Sequence, residues 1–369
     1  MNKKIIYIDY ASKGNAGLYS FNILRSCSSQ GNVTAYLHSD FKQDIDGVSI
    51  VRLFSRFESR IENNIVKNIY KWIDLYFSFL VIYIKCLRES NRHELYFLVQ
   101  FHQSFQAYSW LFRKLSRLGK LYVTVHDAVE LEHSYPSLIM TNRDRLLKYS
   151  DVLIVHNEQS EKELNYLNVP LLKMPFPLMV SNFRLDPLQE RQSRDKVRFL
   201  FIGHIRKEKG VSALIHAWKS LPDDLVSKAE LTIAGNNAAD DPIDISGLIN
   251  CVAKIGYISD DEFSELILRS HYVVMPYIGG TNSGVLSVAT ALRRPSITSK
   301  LPIFTESQFY EEELSFSESH SLCDLLGEII LGHTACYDRY LKRLDSRICQ
   351  YESEFDSNVS DLFKYLLSK

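Results

Sequence analysis

The sequence predicts an α/β protein of two domains, each built on a parallel sheet with helices on its faces. Short β-branched and aromatic runs alternate with stretches whose apolar residues recur at helical spacing, as parallel strands joined by crossover helices require. At 369 residues the chain exceeds what one ordinary core organises. The alternation breaks once, over 175–196, where three prolines, mixed charge and no sustained apolar period make a linker composition.

Taken in order, the strand-like runs are 5–10, 32–38, 48–54, 95–101, 121–127 and 151–157 in the first half. Those of the second half are 198–205, 230–235, 251–258, 272–278 and 294–299. After about residue 321 the strands stop, and 322–332, 335–355 and 359–369 read as successive helices. The expected division is 1–177, a linker over 178–196, a second domain over 197–345, and helices over 346–369 that return to the first domain. A ligand is then expected in the cleft at the carboxyl ends of the strands.

Composition excludes several classes. Lys and Arg number 43 against 44 Asp and Glu, for a net charge of −1, so the basic excess of a general nucleic-acid binder is absent. The six cysteines form no C-x-x-C pair, which predicts reduced, buried structural thiols in a cytoplasmic protein rather than a disulfide frame or zinc site. The first ten residues lack a long apolar region or a small-residue cleavage site. The longest apolar run, 75–84, falls well short of the roughly 20 residues that span a bilayer.

Four stretches carry chemistry. Gly14 to Gly17 follow the first strand and open a helix, which serves either close approach to a ligand or a simple tight turn. His126 and Asp127 end the fifth strand-like run, at the edge where doubly wound sheets place their chemistry. A loop-capping histidine, or a metal site with His133, are the other readings of that pair. Arg206 and Lys209 precede Gly210 and a helix, so two cations and a helix dipole act on an anion in the same sense, unless the run is only a solvated surface.

The fourth stretch, "GGTNSGVLSVATALRRP" from Gly279 to Pro295, is a strand-to-helix turn. It offers the Thr281 and Ser283 hydroxyls and the N–H groups of Ser283 and Gly284 to something negative. Ser283 as a mere helix cap is the alternative. Recurrence of an anion motif in the same half as Arg206 and Lys209 points to a diphosphate.

These residues resemble the retaining GT-B glycosyltransferases of group 1, also called family four, relatives of glycogen and sucrose synthases. The resemblance covers most of the chain. It is strongest over "FIGHIRKEKGVSALIHAW" (201–218) and "MPYIGGTNSGVLSVATALRRPSITS" (275–299), and weaker over "TVHD", "DVLIVHNEQSEKEL" and "GNAG". It implies two Rossmann-like domains facing across a cleft, with C-terminal helices. Arg206 and Lys209 would grip the diphosphate of a nucleotide sugar, and Ser283 and Gly284 would add phosphate contacts. Gly203, Thr281 and Asn282 would line the donor side, and His126 would sit near the reacting sugar. Gly14, Gly17 and Asp127 would line the cleft. No metal or other cofactor is expected, since the two cations supply the positive charge.

The chain departs from the family pattern in two places. His204 stands where the family commonly has arginine, so Arg206 is the substitute. The family's frequent pair of glutamates eight positions apart is replaced by Gly280 and Val288, with Glu306 the candidate for the missing ribose ligand.

The implied reaction moves a hexose, with retention, to a glycan or lipid-linked glycan in bacterial-type surface polysaccharide synthesis. A nucleotide-sugar epimerase and a catalytically silent partner subunit are the rival readings. Two stretches, 60–88 and 108–120, combine apolar faces with Lys67, Lys71, Lys85, Arg88, Arg113, Lys114 and Arg117. They read either as peripheral contacts with the inner face of an anionic membrane or as core helices with solvated edges.

Overall fold

The computed structural model describes residues 2–55, 64–128, 143–179, 196–237, 243–280, 282–317 and 320–368. The chain divides into two compact units, Met1–Pro177 with Glu354–Lys369, and Leu178–Ser353.

The first unit holds strands β1 (Asn2–Asp9), β2 (Asn32–His38), β3 (Val48–Phe54), β4 (His93–Phe101), β5 (Gly119–Val125), β6 (Val152–Val155) and β7 (Leu171–Lys173). They pair in the order β3-β2-β1-β4-β5-β6-β7, every pair parallel. Helices α1 (Gly14–Cys27), α2 (Asn64–Glu89), α3 (Ser109–Leu115), α4 (Arg143–Leu147) and α5 (Glu158–Leu164) connect them. In β1 the run Ile5, Ile6, Tyr7 and Ile8 is buried throughout, because a parallel sheet is covered on both faces. One core cluster joins Phe79 and Ile82 of α2 and Phe112 of α3 to Val99 and Val123 of the sheet.

The second unit holds β8 (Val197–Ile202), β9 (Ala229–Gly235), β10 (Cys251–Ile255), β11 (Tyr272–Met275), β12 (Ser296–Ser299) and β13 (Ser315–Phe316). Their order is β10-β9-β8-β11-β12-β13, again all parallel. Between them lie α6 (Val211–Lys219), α7 (Asp223–Val226), α8 (Asp260–Arg269), α9 (Gly284–Ala291) and α10 (Pro302–Thr305). All eleven expected strand runs contain a strand. The two that the sequence did not signal, β7 and β13, have three and two residues, too short to show a period.

The C-terminal stretch read as successive helices is one helix, α11 (Leu322–Ser368), of 47 residues. The gaps between the expected helices, 333–334 and 356–358, contain no proline. A helical glycine costs only about 1 kcal/mol against alanine, which tertiary packing outweighs. Leu344 and Ile348 pack with Leu178 and Ala291 in the second unit. The last turn is fixed in the first unit, where Tyr122 OH donates to Leu366 O at 2.7 Å and Tyr96 OH to Leu367 O at 3.2 Å. Those bonds satisfy carbonyls that a helix end leaves without partners.

All six cysteines are free thiols, but only Cys27 and Cys86 are buried. Cys251, Cys323 and Cys336 are half-buried and Cys349 is exposed, so the expectation of uniformly buried thiols fails. Three of these four, Cys323, Cys336 and Cys349, lie on the partly solvated face of α11, and Cys251 opens the edge strand β10. Among the described residues no helix is long and apolar enough to cross a membrane.

Candidate active site

In the second sheet the strand order reverses at β8, which pairs with β9 on one side and β11 on the other. The loops after β8 and β11 therefore diverge, leaving the crevice in which α/β sheets bind ligands. The two motifs singled out in the sequence are those two loops. Ile278 N–H donates to Glu208 O at 2.9 Å, and Lys209 Nζ lies 3.7 Å from the centre of the Tyr277 ring. Gly210 takes φ +66°, and a Cβ there would lie 1.8 Å from Pro276 O, so only glycine lets the loops meet.

Ser283 caps α9, its Oγ accepting the Leu286 N–H at 3.2 Å, and the Tyr277 hydroxyl stands 3.4 Å from the same oxygen. The capping reading of Ser283 is thus realised, with its hydroxyl beside Tyr277. Gly284 is the first residue of α9, and a Cβ on Gly203, at the end of β8, would lie 3.4 Å from Val285 Cγ2. Asn282 precedes the cap; Thr281 lies outside the described residues.

The charge here is positive. Arg206 Nη1 stands 3.8 Å from Glu208 Oε1, a loose pair, and Lys209 rests on an aromatic face. His204 is held below its ordinary pKa by partial desolvation of its ring and then by the charges of Arg206 and Lys209. A guanidinium, an ammonium and the amide end of α9 around one crevice attract an anion with several negative oxygens.

The absent glutamates have a structural reason. Gly280 sits at φ +128°, where a residue with a Cβ is strained, and Val288 is buried in the apolar face of α9. Beside that turn, Ile303 Cδ1 would lie 3.7 Å from a Cβ on Gly280, and Phe304 meets the Tyr277 ring at 5.2 Å. Both belong to α10, and Glu306 follows it at once with an exposed side chain.

The first sheet reverses between β1 and β4. Asp9, the last residue of β1, is buried and accepts from His102 Nε2 at 2.9 Å and from Ser20 Oγ at 2.5 Å. His126 follows β5 and gives Nε2–H to Gln100 Oε1 at 2.9 Å. It stacks on His156 at 5.4 Å and meets Tyr19 edge-on at 4.6 Å. His156 donates Nδ1–H to Met174 O at 2.9 Å and accepts from Tyr19 OH at 3.1 Å.

Asp127 is placed through its backbone, since buried Arg143 donates to Asp127 O and Ala128 O, each at 2.8 Å. Gly14 opens α1, and a Cβ on Gly17 would come 3.1 Å from Ser12 O, so Gly17 is needed by the turn itself. His133 lies outside the described residues. Among those described, no group of three or more His, Cys, Asp or Glu side chains is arranged to hold a metal ion.

Asp9, His102, His156, Tyr19 and Tyr277 are the residues that sequence reasoning missed. His156-Asn157 after β6 repeats the His126-Asp127 pattern after β5, a signal that could have found one of them. Asp9 and His102 become visible only once β1 and β4 are known to be neighbours.

Burial lowers the His156 pKa to about 4, against the opposing bond to Met174, and burial followed by His156 and His102 lowers that of His126. The unfolded chain protonates these rings near 6.5 while the folded one does not, so stability is full above about pH 6.5 and falls toward pH 4. His156 alone is expected to contribute about 2 to 3 kcal/mol of that loss. Urea midpoints measured across this range should show a slope that His156→Gln reduces by about one proton, and an unchanged slope would contradict the assignment.

Residues 185–307 match the family model described as glycosyl transferases group 1. Over that third of the chain, the sequence is similar to group 1 glycosyl transferases. It contains β8 to β12 and both loops of the cationic crevice. No curated protein sequence matches the chain. Solved structures match it along its length. Sucrose-phosphate synthase from Thermosynechococcus elongatus is 16% identical, with 100% of both chains covered and a TM-score of 0.68. An α,α-trehalose-phosphate synthase (UDP-forming) from Burkholderia vietnamiensis is 10% identical, with 100% of this chain and 99% of that one covered and a TM-score of 0.63. Anabaena HepE in complex with UDP-glucose is 13% identical, with 99% of each chain covered and a TM-score of 0.62. The fold is GT-B, and the segment that matches the family model supplies most of its second unit.

Proposed function

We propose that this protein transfers a hexose from a nucleoside diphosphate sugar to a hydroxyl of a glycan or lipid-linked glycan, with retention and without a metal ion, in surface polysaccharide synthesis. The observation that carries the reading is the junction of the 206–210 and 276–284 loops, which gathers Arg206, Lys209 and the α9 N-terminus at the β8/β11 crevice. UDP-glucose in the similar HepE structure supports a nucleotide sugar as donor.

Departure of the diphosphate leaves the sugar cationic and the leaving group more negative. Fixed cations and N–H dipoles stabilise that separation without reorganising. Arg206, Lys209 and the Ser283 and Gly284 amides take the diphosphate, with Gly203 and Asn282 around it. Glu306 takes over the ribose contact that neither Gly280 nor Val288 can offer. His126, kept neutral by burial, is assigned to the reacting sugar, and Gly14, Gly17 and Asp127 to the acceptor side.

Purified protein is expected to be stabilised by one nucleoside diphosphate and its sugars out of a panel of bases, by about 2.7 kcal/mol at a hundredfold Kd. With that donor and a glycan acceptor, the product's anomeric configuration read by NMR should match the donor's. Absence of stabilisation by every nucleoside diphosphate would overturn the reading. Burial of Val288 and the backbone of Gly280 favour one second reading, a partner subunit without turnover. Stabilisation with no transfer would select it.

A further inference from the structure

The longest helix of the first sheet's crossovers, α2, has 26 residues and is about 39 Å long. One of its faces packs in the core through Leu75, Phe79, Ile82 and Cys86. The other is apolar too, yet open to solvent. Ile69, Ile73, Phe77, Val81, Ile84 and Leu87 are between 38% and 59% exposed. At 100° per residue they cover about 120° of the helix circumference as one stripe running its length. A polar face is what a helix on a solvated surface carries, so an apolar one along about five turns calls for an occupant.

The charges beside the stripe identify that occupant. Lys71, Lys85 and Arg88 flank it on α2, all exposed. On its other side α3 is joined to α2 through Trp110, whose ring meets Tyr76 and Tyr83, and it carries exposed Arg113 and Lys114, with Arg117 just beyond. Among the described residues none of these six cations forms an ion pair. The acids of α2 face elsewhere, Asp74 bonded to the Ser55 N–H and the Tyr70 hydroxyl, and Glu89 paired with Lys4 and near His93. A second copy docking on this face would bring like charges together, whereas an anionic lipid headgroup layer complements them while its acyl boundary receives the stripe.

We propose that the exposed face of α2, with the cations of α2 and α3, is a docking surface for an anionic phospholipid bilayer, on which the helix lies in the interfacial plane. It deepens the lipid-linked acceptor reading, and its test uses no donor, so its failure and the failure of the transfer reading are told apart.

The full chain is spun with vesicles of phosphatidylcholine alone and with vesicles in which about a third of the lipid is phosphatidylglycerol. It is expected to pellet with the anionic vesicles at about 0.05 M salt, to be released at about 0.5 M, and to stay in solution with neutral vesicles. Ile73→Glu with Phe77→Glu should weaken binding at least about tenfold. Lys85→Gln with Arg88→Gln should weaken it roughly fivefold per charge removed. All four positions are exposed, so circular dichroism and melting should match the parent and exclude misfolding. No pelleting at low salt, or pelleting of both variants like the parent, overturns the proposal. So does a dimer in sedimentation equilibrium that Ile73→Glu with Phe77→Glu dissociates.

Discussion

Lys209→Ala is expected to slow glycosyl transfer several hundred-fold while changing the KM for the donor far less. A preorganised cation on the developing charge of a leaving group contributes on the order of 3 to 4 kcal/mol in the transition state, and each 1.4 kcal/mol is tenfold in rate. The ammonium is held 3.7 Å over the Tyr277 ring, so its position is set before substrate arrives. Tyr277 and Ser283 remain in the variant, and the donor keeps the α9 amides and Arg206 in its ground state. Binding therefore suffers less than turnover, the pattern of an interaction made mainly in the transition state. Single-turnover rates with saturating donor measure the effect. Near-normal turnover would remove Lys209 from the chemistry and with it the proposed mechanism.

Gly210→Ala should be among the most damaging single changes in the second unit, at roughly 3 to 5 kcal/mol of stability. Its Cβ would lie 1.8 Å from the carbonyl oxygen of Pro276, and the φ of +66° strains any L side chain. Neither neighbour is a flexible side chain that can turn aside, so one of the two loops must move. The loops are joined by the Ile278–Glu208 backbone bond and by the Lys209–Tyr277 contact, and any movement separates Arg206 and Lys209 from α9. The variant is thus expected to lose donor stabilisation in the thermal assay as well as its own melting temperature. A variant melting within a degree of the parent would show that the junction is looser than the geometry requires.

Much of the architecture is legible before any coordinates. Burial on both faces makes a parallel strand a continuous apolar run, so β1, β4, β5, β8 and β11 stand out in the sequence, whereas β7 and β13 do not. The cations before Gly210 and the capped turn before α9 are likewise local patterns, readable because a helix N-terminus and its neighbours are contiguous in the chain. The continuity of α11 is not legible, for the converse reason. Its interruptions are polar or glycine-bearing, and only contacts far away in sequence decide that the helix continues through them.

The sequence by itself determined the class, the two halves and the capped, glycine-bearing turn that opens a helix in the second, because all three are written in spacing over a few residues. Only the tertiary structure decided that β8 and β11 are neighbours. That pairing joins Lys209 to Tyr277 and Gly210 to Pro276 across 66 or more residues, just as β1 against β4 puts Asp9 on His102. Strand order follows from which edges pair over long sequence separations, and local periodicity carries no record of it.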